Sequence, residues 1–416
     1  MKKLLLIVSC LLLLIILSFL LIKSPLARKF NSKGLQFYGS SDYTKAEEFF
    51  IKSLKWKKNY EEGLINLTKC EIELKNYDKA WETLEKLKNI SSGHAETTAL
   101  EGQLYVIKQD FETALELLNR SIATDSLLAY AYFYRGIANA NLGNLEAAAN
   151  DYNKAQELDK TNKEALQRGV VILSRLENFE GAITKYNKLL ELDPTNTRAY
   201  FERGNFKMKI GDFAGAAEDF GQTIKLDNTL AEAYYNRGKS NVNLERFEEA
   251  IPDFVRSAEL NFKNAGAYYN AGLASLKISR LEDARKYLLQ CIKADEQNEH
   301  TSMAYHLLGV MEMMRGRNEA SIGYFDHSIK LDSAFSDSYY NRAIAYGMLK
   351  DYRPAIRDLN KCIELGNVSA DVYFARGVNK ISLSNFAAGC DDLKEAQKMG
   401  HQQAAEMRDQ YCRQYP

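Results

Sequence analysis

Five arginines in this chain are each followed, sixteen residues later, by an aspartate: Arg135 and Asp151, Arg203 and Asp219, Arg237 and Asp253, Arg342 and Asp358, Arg376 and Asp392. A guanidinium presents a planar fork of donors that can grip a carboxylate through two hydrogen bonds. A recurring pair of this kind suits a structural ion pair. The competing reading, arginines that contact a ligand, uses the same residues. Other chemistry is sparse. His94, His300, His306, His327 and His401 are scattered without metal-ligand spacing. There is no glycine-rich phosphate loop and no nucleophile-base constellation. Outside the apolar N-terminal run that holds Cys10, the cysteines Cys70, Cys291, Cys362, Cys390 and Cys412 are odd in number and contain no CxxC, so no disulfide framework is expected, and for Cys291 and Cys362, in a column of small residues, burial is the simpler reading. The chemistry therefore predicts no cofactor, no metal and no enzyme, with an unrecognised activity in a groove as one alternative.

What positions these residues is a repeat. YYNRG at Tyr234–Gly238 returns as YYNAG 34 residues on, and YYNRA follows at Tyr339–Ala343. Eight units run in frame from Ala27, Glu61, Ala95, Ala129, Lys163, Thr197, Ala231 and Ala265; after three extra residues, Glu299 to Thr301, three more start at Ser302, Ser336 and Ala370. A fixed period of this size means stacked supersecondary units. The eighth position is glycine in eight units and the twentieth is small in all eleven, which lets two helix backbones approach closely. The twenty-fourth is always large and apolar, as in Phe50, Tyr152, Phe220, Phe254 and Leu359. Apolar residues at i, i+3, i+4 and i+7 make each half-unit an amphipathic helix. On this ruler the arginines occupy the seventh position and the aspartates the twenty-third, and no other unit has either residue at its place. That all-or-none pairing favours contact between the two helices of one unit. Pro252 and Pro354 stand where second helices should begin.

The pattern resembles the tetratricopeptide-repeat family, whose W/Y-x-x-L-G-x-x-Y…A-x-x-x-F…A signature is met by Tyr234, Gly238, Ala250, Phe254 and Ser257 and similarly in most units. The resemblance implies an all-α, right-handed superhelical solenoid of about eleven helix-turn-helix units. The expected organisation is a hydrophobic segment over 1–26, units one to eight over 27–298, a spacer at 299–301, units nine to eleven over 302–403 and a capping helix over 404–416. The family's terminal proline survives only as Pro194, so the breaks between units must use Asp, Asn, Ser and Thr, as in Asp159-Lys-Thr-Asn162. The resemblance also implies that first helices line a concave groove. Candidate partner contacts there are Phe201, Tyr235, Asn236, Tyr269, Asn270, Tyr340 and Asn341, with Arg175, Arg198, Lys209, Lys239 and Lys277 making the central groove mildly basic against Glu202 and Glu232. Asparagines can hold the backbone of an extended peptide because an amide both donates and accepts. The chaperone-tail clamp of the family needs Lys and Asn four apart; Phe201 and Asn205 do not supply it.

Lys+Arg and Asp+Glu both number 55 in 416 residues. This balance gives no support for nucleic-acid binding, and no small-molecule substrate is expected. Leu4 to Ile22 carries no charge over 19 residues, long enough to span a bilayer. The reading taken is an uncleaved signal anchor that contacts the membrane through residues 4–22 and leaves the repeats outside the cytoplasm; the alternatives are a lipoprotein at Cys10, in Ile7-Val-Ser-Cys10, and a cleaved, secreted form. The expected function is a membrane-tethered scaffold for protein or extended-peptide partners. A regulator of cell-envelope assembly, lipopolysaccharide or outer-membrane, is the alternative, although such relatives carry a cysteine metal knuckle that Cys390 and Cys412 are too far apart in sequence to form.

Overall fold

The computed structural model describes residues 23–295 and 299–414. The apolar run 4–22, with Cys10, lies outside the described residues. The described chain is built of helix-turn-helix repeats, and among the described residues there is no strand. It divides into two compact segments, one ending at Ala199 and one beginning at Tyr200, so the division falls inside the helix Thr197–Lys209. Within each segment helices pack chiefly on their neighbours in sequence, as expected of a solenoid. Among the described residues no helix is long and apolar enough to cross a membrane.

Each repeat closes on its small residues. Ala148 and Ala250, at the twentieth position, are fully buried. Gly136 and Gly238 lie against the large residue of the partner helix: a Cβ on Gly136 would stand 2.8 Å from the Tyr152 ring, and one on Gly238 3.0 Å from Phe254. Glycine is needed there for close approach. Between units, polar side chains stop and restart the helices. Asp159 Oδ1 accepts from the Thr161 amide at 3.0 Å and its hydroxyl at 2.7 Å, and Asn162 then caps the next helix through the Ala165 amide at 2.9 Å.

The turn inside each repeat was not legible from the glycines. Its fifteenth position takes a left-handed backbone in every unit, yet only Gly143, Gly211 and Gly316 there are glycine. Ser41, Lys75, Gln109, Glu177, Glu245, Ser279, Lys350 and Ser384 adopt φ of 54–66° instead. The next amide bonds back to the carbonyl five residues earlier, as in Arg246 N to Asn241 O at 2.8 Å, which closes the helix end.

Two expectations are corrected. Pro354 does sit in a first turn, that of Tyr352–Glu364, but Pro252 is the sixth residue of Phe247–Glu259, where it removes an internal hydrogen bond to the Glu248 carbonyl. The cysteines are the second. Cys390 and Cys412 form a disulfide, with Cα atoms 5.7 Å apart, because the chain reverses at Gly400 and the helix Ala404–Tyr411 packs back on Phe386–Lys398. Their separation of 22 residues said nothing of this proximity. Cys70, Cys291 and Cys362 are buried free thiols.

Candidate partner-binding site

The arginines and aspartates meet within their units. In all five, guanidinium Nε and Nη2 donate to the two carboxylate oxygens at 2.6–3.1 Å. The aspartates are buried, 3–9 % exposed, and the guanidiniums half-buried. Each guanidinium also lies 5.2–5.8 Å from the ring of the tyrosine three residues before it: Tyr132, Tyr200, Tyr234, Tyr339 or Tyr373. Additional donors, missed in the sequence, come from the eleventh position: Asn139 donates to Asp151 at 2.9 Å, and Lys207 and Lys380 reach Asp219 and Asp392 at 2.9 and 2.7 Å.

Repeats without this pair handle buried charge differently. Glu312 is gripped by Arg285, Arg315 and Arg317. Lys185, at the aspartate position, crosses Gly169, and burial pushes its amine down to about 8. Burial pushes the Glu71 carboxyl up to about 7. None of these was legible as a pair, since each unit breaks the column in its own way.

The first-helix residues proposed as partner contacts fall into two groups. Tyr235 and Asn270 come together: Asn270 Nδ2 donates to the Tyr235 hydroxyl at 3.1 Å. They line a recess of about 370 Å³ between Ala231–Asn243 and Asn264–Lys277, with Phe247 and Leu273 as apolar wall and Lys239 and Lys277 beside them. Both lysines are exposed. Tyr235 itself packs on Phe254 and Phe262, each 5.6 Å away, and burial raises its hydroxyl above the ordinary tyrosine value. A second recess, about 440 Å³, repeats the arrangement between Ser336–Met348 and Ala370–Ser382; Tyr340, Ile344, Phe374 and His401 line it. The His401 ring stacks on Phe374 at 3.9 Å, as His300 stacks on Tyr269 at 5.2 Å.

The other candidates lie outside these two linings. Asn236 donates to Asn205 Oδ1 at 3.0 Å, so its amide links neighbouring units. Phe201 packs on Phe220 at 5.7 Å, and Asn341 is half-buried. The recess chemistry is an apolar floor, an amide whose oxygen meets no donor among the described residues and two ammonium groups, suited to a peptide with a large apolar side chain next to an acidic one.

Tetratricopeptide-repeat models match residues 129–162, 207–267, 235–299 and 336–365, and a TPR-repeat model matches 172–211. No curated protein matches the chain. Among solved structures it is similar to the APC/C hetero-tetramer Cut9-Hcn1, at 15% identity and a TM-score of 0.41 over 94% of this chain and 99% of that one. It is similar to YrrB, a TPR protein described as having an unusual peptide-binding site, at 20% identity and a TM-score of 0.40 over 46% of this chain and 97% of that one. Yeast Tom70 matches at 14% identity and a TM-score of 0.37, over 94% and 96%. On the family models and the helix-turn-helix repeats that carry their signature residues, the chain belongs to the tetratricopeptide-repeat family.

Proposed function

We propose that this protein is a non-enzymatic, membrane-tethered scaffold that holds a partner protein by an extended segment laid along the first helices of the segment beginning at Tyr200. The observation that carries the reading is the recess at Tyr235 and Asn270. It offers apolar surface, an amide and the exposed Lys239 and Lys277 in one place. An extended segment would place apolar side chains in this recess and its repeat at Tyr340, with acidic side chains near the lysines. Tethering is assigned to residues 4–22. A location outside the cytoplasm is supported by the Cys390–Cys412 disulfide, since such bonds persist in oxidising compartments. Those two cysteines bond to each other, which weighs against the envelope-assembly reading with its metal knuckle.

The test is capture of partners from membranes by the full-length protein. Changing Lys239 and Lys277 together to Glu is expected to remove the partner while helix content and melting stay near wild type, because exposed substitutions usually shift stability by only about 0.5 kcal/mol. Changing Asn270 to Ala weakens capture in the same direction. Glu248→Ala, on an exposed second-helix face, leaves it intact. Capture that survives the double lysine change defeats the proposal.

A further inference from the structure

The arginine column has a second acceptor, supplied by the preceding repeat. Arg135 Nη1 donates to Asn119 Oδ1 at 2.9 Å, Arg342 Nη1 to Asp326 Oδ1 at 2.6 Å, and Arg376 Nη1 to Asn360 Oδ1 at 2.8 Å. The acceptor always stands sixteen residues before the arginine, and the sequence has Asn187 at the same distance before Arg203. Arg237 is the exception. The residue sixteen before it is Gly221. Arg237 grips Asp253 through Nε and Nη2 like its counterparts, but among the described residues its Nη1 has no hydrogen-bond partner.

Packing gives no reason for this glycine. A Cβ on Gly221 would meet only Arg237 Nη1, at 3.7 Å, an ordinary contact distance. Gly221 lies within the helix Phe213–Leu226, where a glycine weakens the helix relative to alanine. Arg237, the side chain that this space faces, stands with Asp253 in the wall of a cleft of about 680 Å³ bounded by Glu218, Tyr234, Arg246, Glu249, Pro252 and Arg256. This cleft lies between the second helices Phe213–Leu226 and Phe247–Glu259 and the Tyr234, Arg237 and Asn241 face of Ala231–Asn243, and it shares no lining residue with the recess at Tyr235 and Asn270.

We propose that the cleft is a second docking point, which receives the side-chain carboxamide of an asparagine or glutamine carried by a protein partner. The incoming oxygen would take the place that Asn119, Asp326 and Asn360 fill for their arginines. Charge decides between carboxamide and carboxylate. Arg237, Arg246 and Arg256 are matched by Glu218, Glu249 and Asp253, so the cleft has no net formal charge to offset the desolvation of an anion. A carboxamide accepts from Arg237 Nη1 and turns its two N–H donors toward the glutamates on the same wall. Tyr234 lies 5.8 Å from the guanidinium and helps to hold it in place.

The probe is the tripeptide N-acetyl-Gly-Asn-Gly-amide, titrated into full-length protein carrying 15N-labelled arginine, with Asp and Leu versions in parallel. The side-chain resonance of Arg237 is expected to shift saturably with the Asn peptide, which should bind roughly tenfold or more tightly than the Leu peptide. Gly221→Asn restores the internal acceptor, so it should abolish the shift and raise the melting temperature. Gly221→Ala supplies no acceptor and should retain the shift, which guards against loss through misfolding. Absence of a saturable shift, tighter binding of the Asp peptide, or a shift that persists in Gly221→Asn overturns the assignment. A shift that follows protein concentration without peptide overturns it in favour of a second copy of the chain. The probe needs no native partner, so failure here leaves the first-helix reading standing on its own test.

Discussion

Among the five aspartates of the column, Asp253 and Asp358 both take hydrogen bonds from their arginines alone, but Arg342 also donates to Asp326, so Arg237 and Asp253 are the cleanest pair for a double-mutant cycle. The Asp253 side chain is 5% exposed against 29% for Arg237. The two single changes should therefore differ. Arg237→Ala strands a buried carboxylate and should cost about 3–5 kcal/mol. Asp253→Ala strands a guanidinium that water already reaches, and should cost about 1–2 kcal/mol. The double change removes both groups and should cost no more than Arg237→Ala alone, leaving a coupling energy of about 1–3 kcal/mol. Acid supplies a second reading of the same cycle. Burial pushes the Asp253 carboxyl above the ordinary aspartate value, and Arg237 pulls against that push. Without the arginine only the upward push remains. A folded-state value raised above the unfolded one contributes stability that is present in acid and lost as pH rises through the folded value. Arg237→Ala should thus recover part of its loss between pH 7 and about pH 5, and the double variant should not. Urea unfolding followed by circular dichroism gives the global numbers, and hydrogen exchange over Ala231–Asn243 and Phe247–Glu259 assigns them to this repeat. Additive losses, or an Arg237→Ala deficit that ignores pH, would refute the pairing as the source of stability.

Glu245 carries a left-handed backbone, φ 57°, so Glu245→Gly should stabilise its repeat by about 0.5–1 kcal/mol after the entropy of glycine is counted; a lower denaturation midpoint would contradict this. Cys412→Ser, or reduction, opens a loop whose ends are 22 residues apart and should cost about 3 kcal/mol, seen as faster hydrogen exchange in Ala404–Tyr411. Unchanged exchange there would show that packing alone holds the helix.

The fold was legible because an error in one unit is corrected by ten others. The small eighth and twentieth positions, the large twenty-fourth and the Arg–Asp columns all repeat, and each reports one contact copied along the chain. What repeats in geometry but not in residue type escaped. The left-handed turn at position fifteen is held by hydrogen bonds that impose it on serine, lysine and glutamate despite its cost without glycine. Contacts made once were equally hidden: the Cys390–Cys412 bond, the three arginines on Glu312, the histidines stacked over Tyr269 and Phe374. The candidate site was partly legible. Tyr235 and Asn270 share a recess, but Asn236 spends its donor on Asn205, because an amide facing the next unit finds a partner before any ligand arrives. YYNRG is mainly structural: Tyr234 stacks on Arg237, Tyr235 packs on Phe254, Asn236 links units, Arg237 grips Asp253, and Gly238 admits the Phe254 ring.

Partner capture on the first helices is tested most directly by a photo-crosslinking residue in place of Lys277, beside the recess, compared with the same residue in place of Glu248 on a second helix. Both positions are exposed, so reactivity alone does not separate them. The account predicts a discrete protein adduct from position 277, mapping by mass spectrometry to one extended segment of one partner, lost when Lys239 is changed to Glu, with none from position 248. Equal adducts from both positions, or none from 277 in cells where the protein is functional, would contradict it.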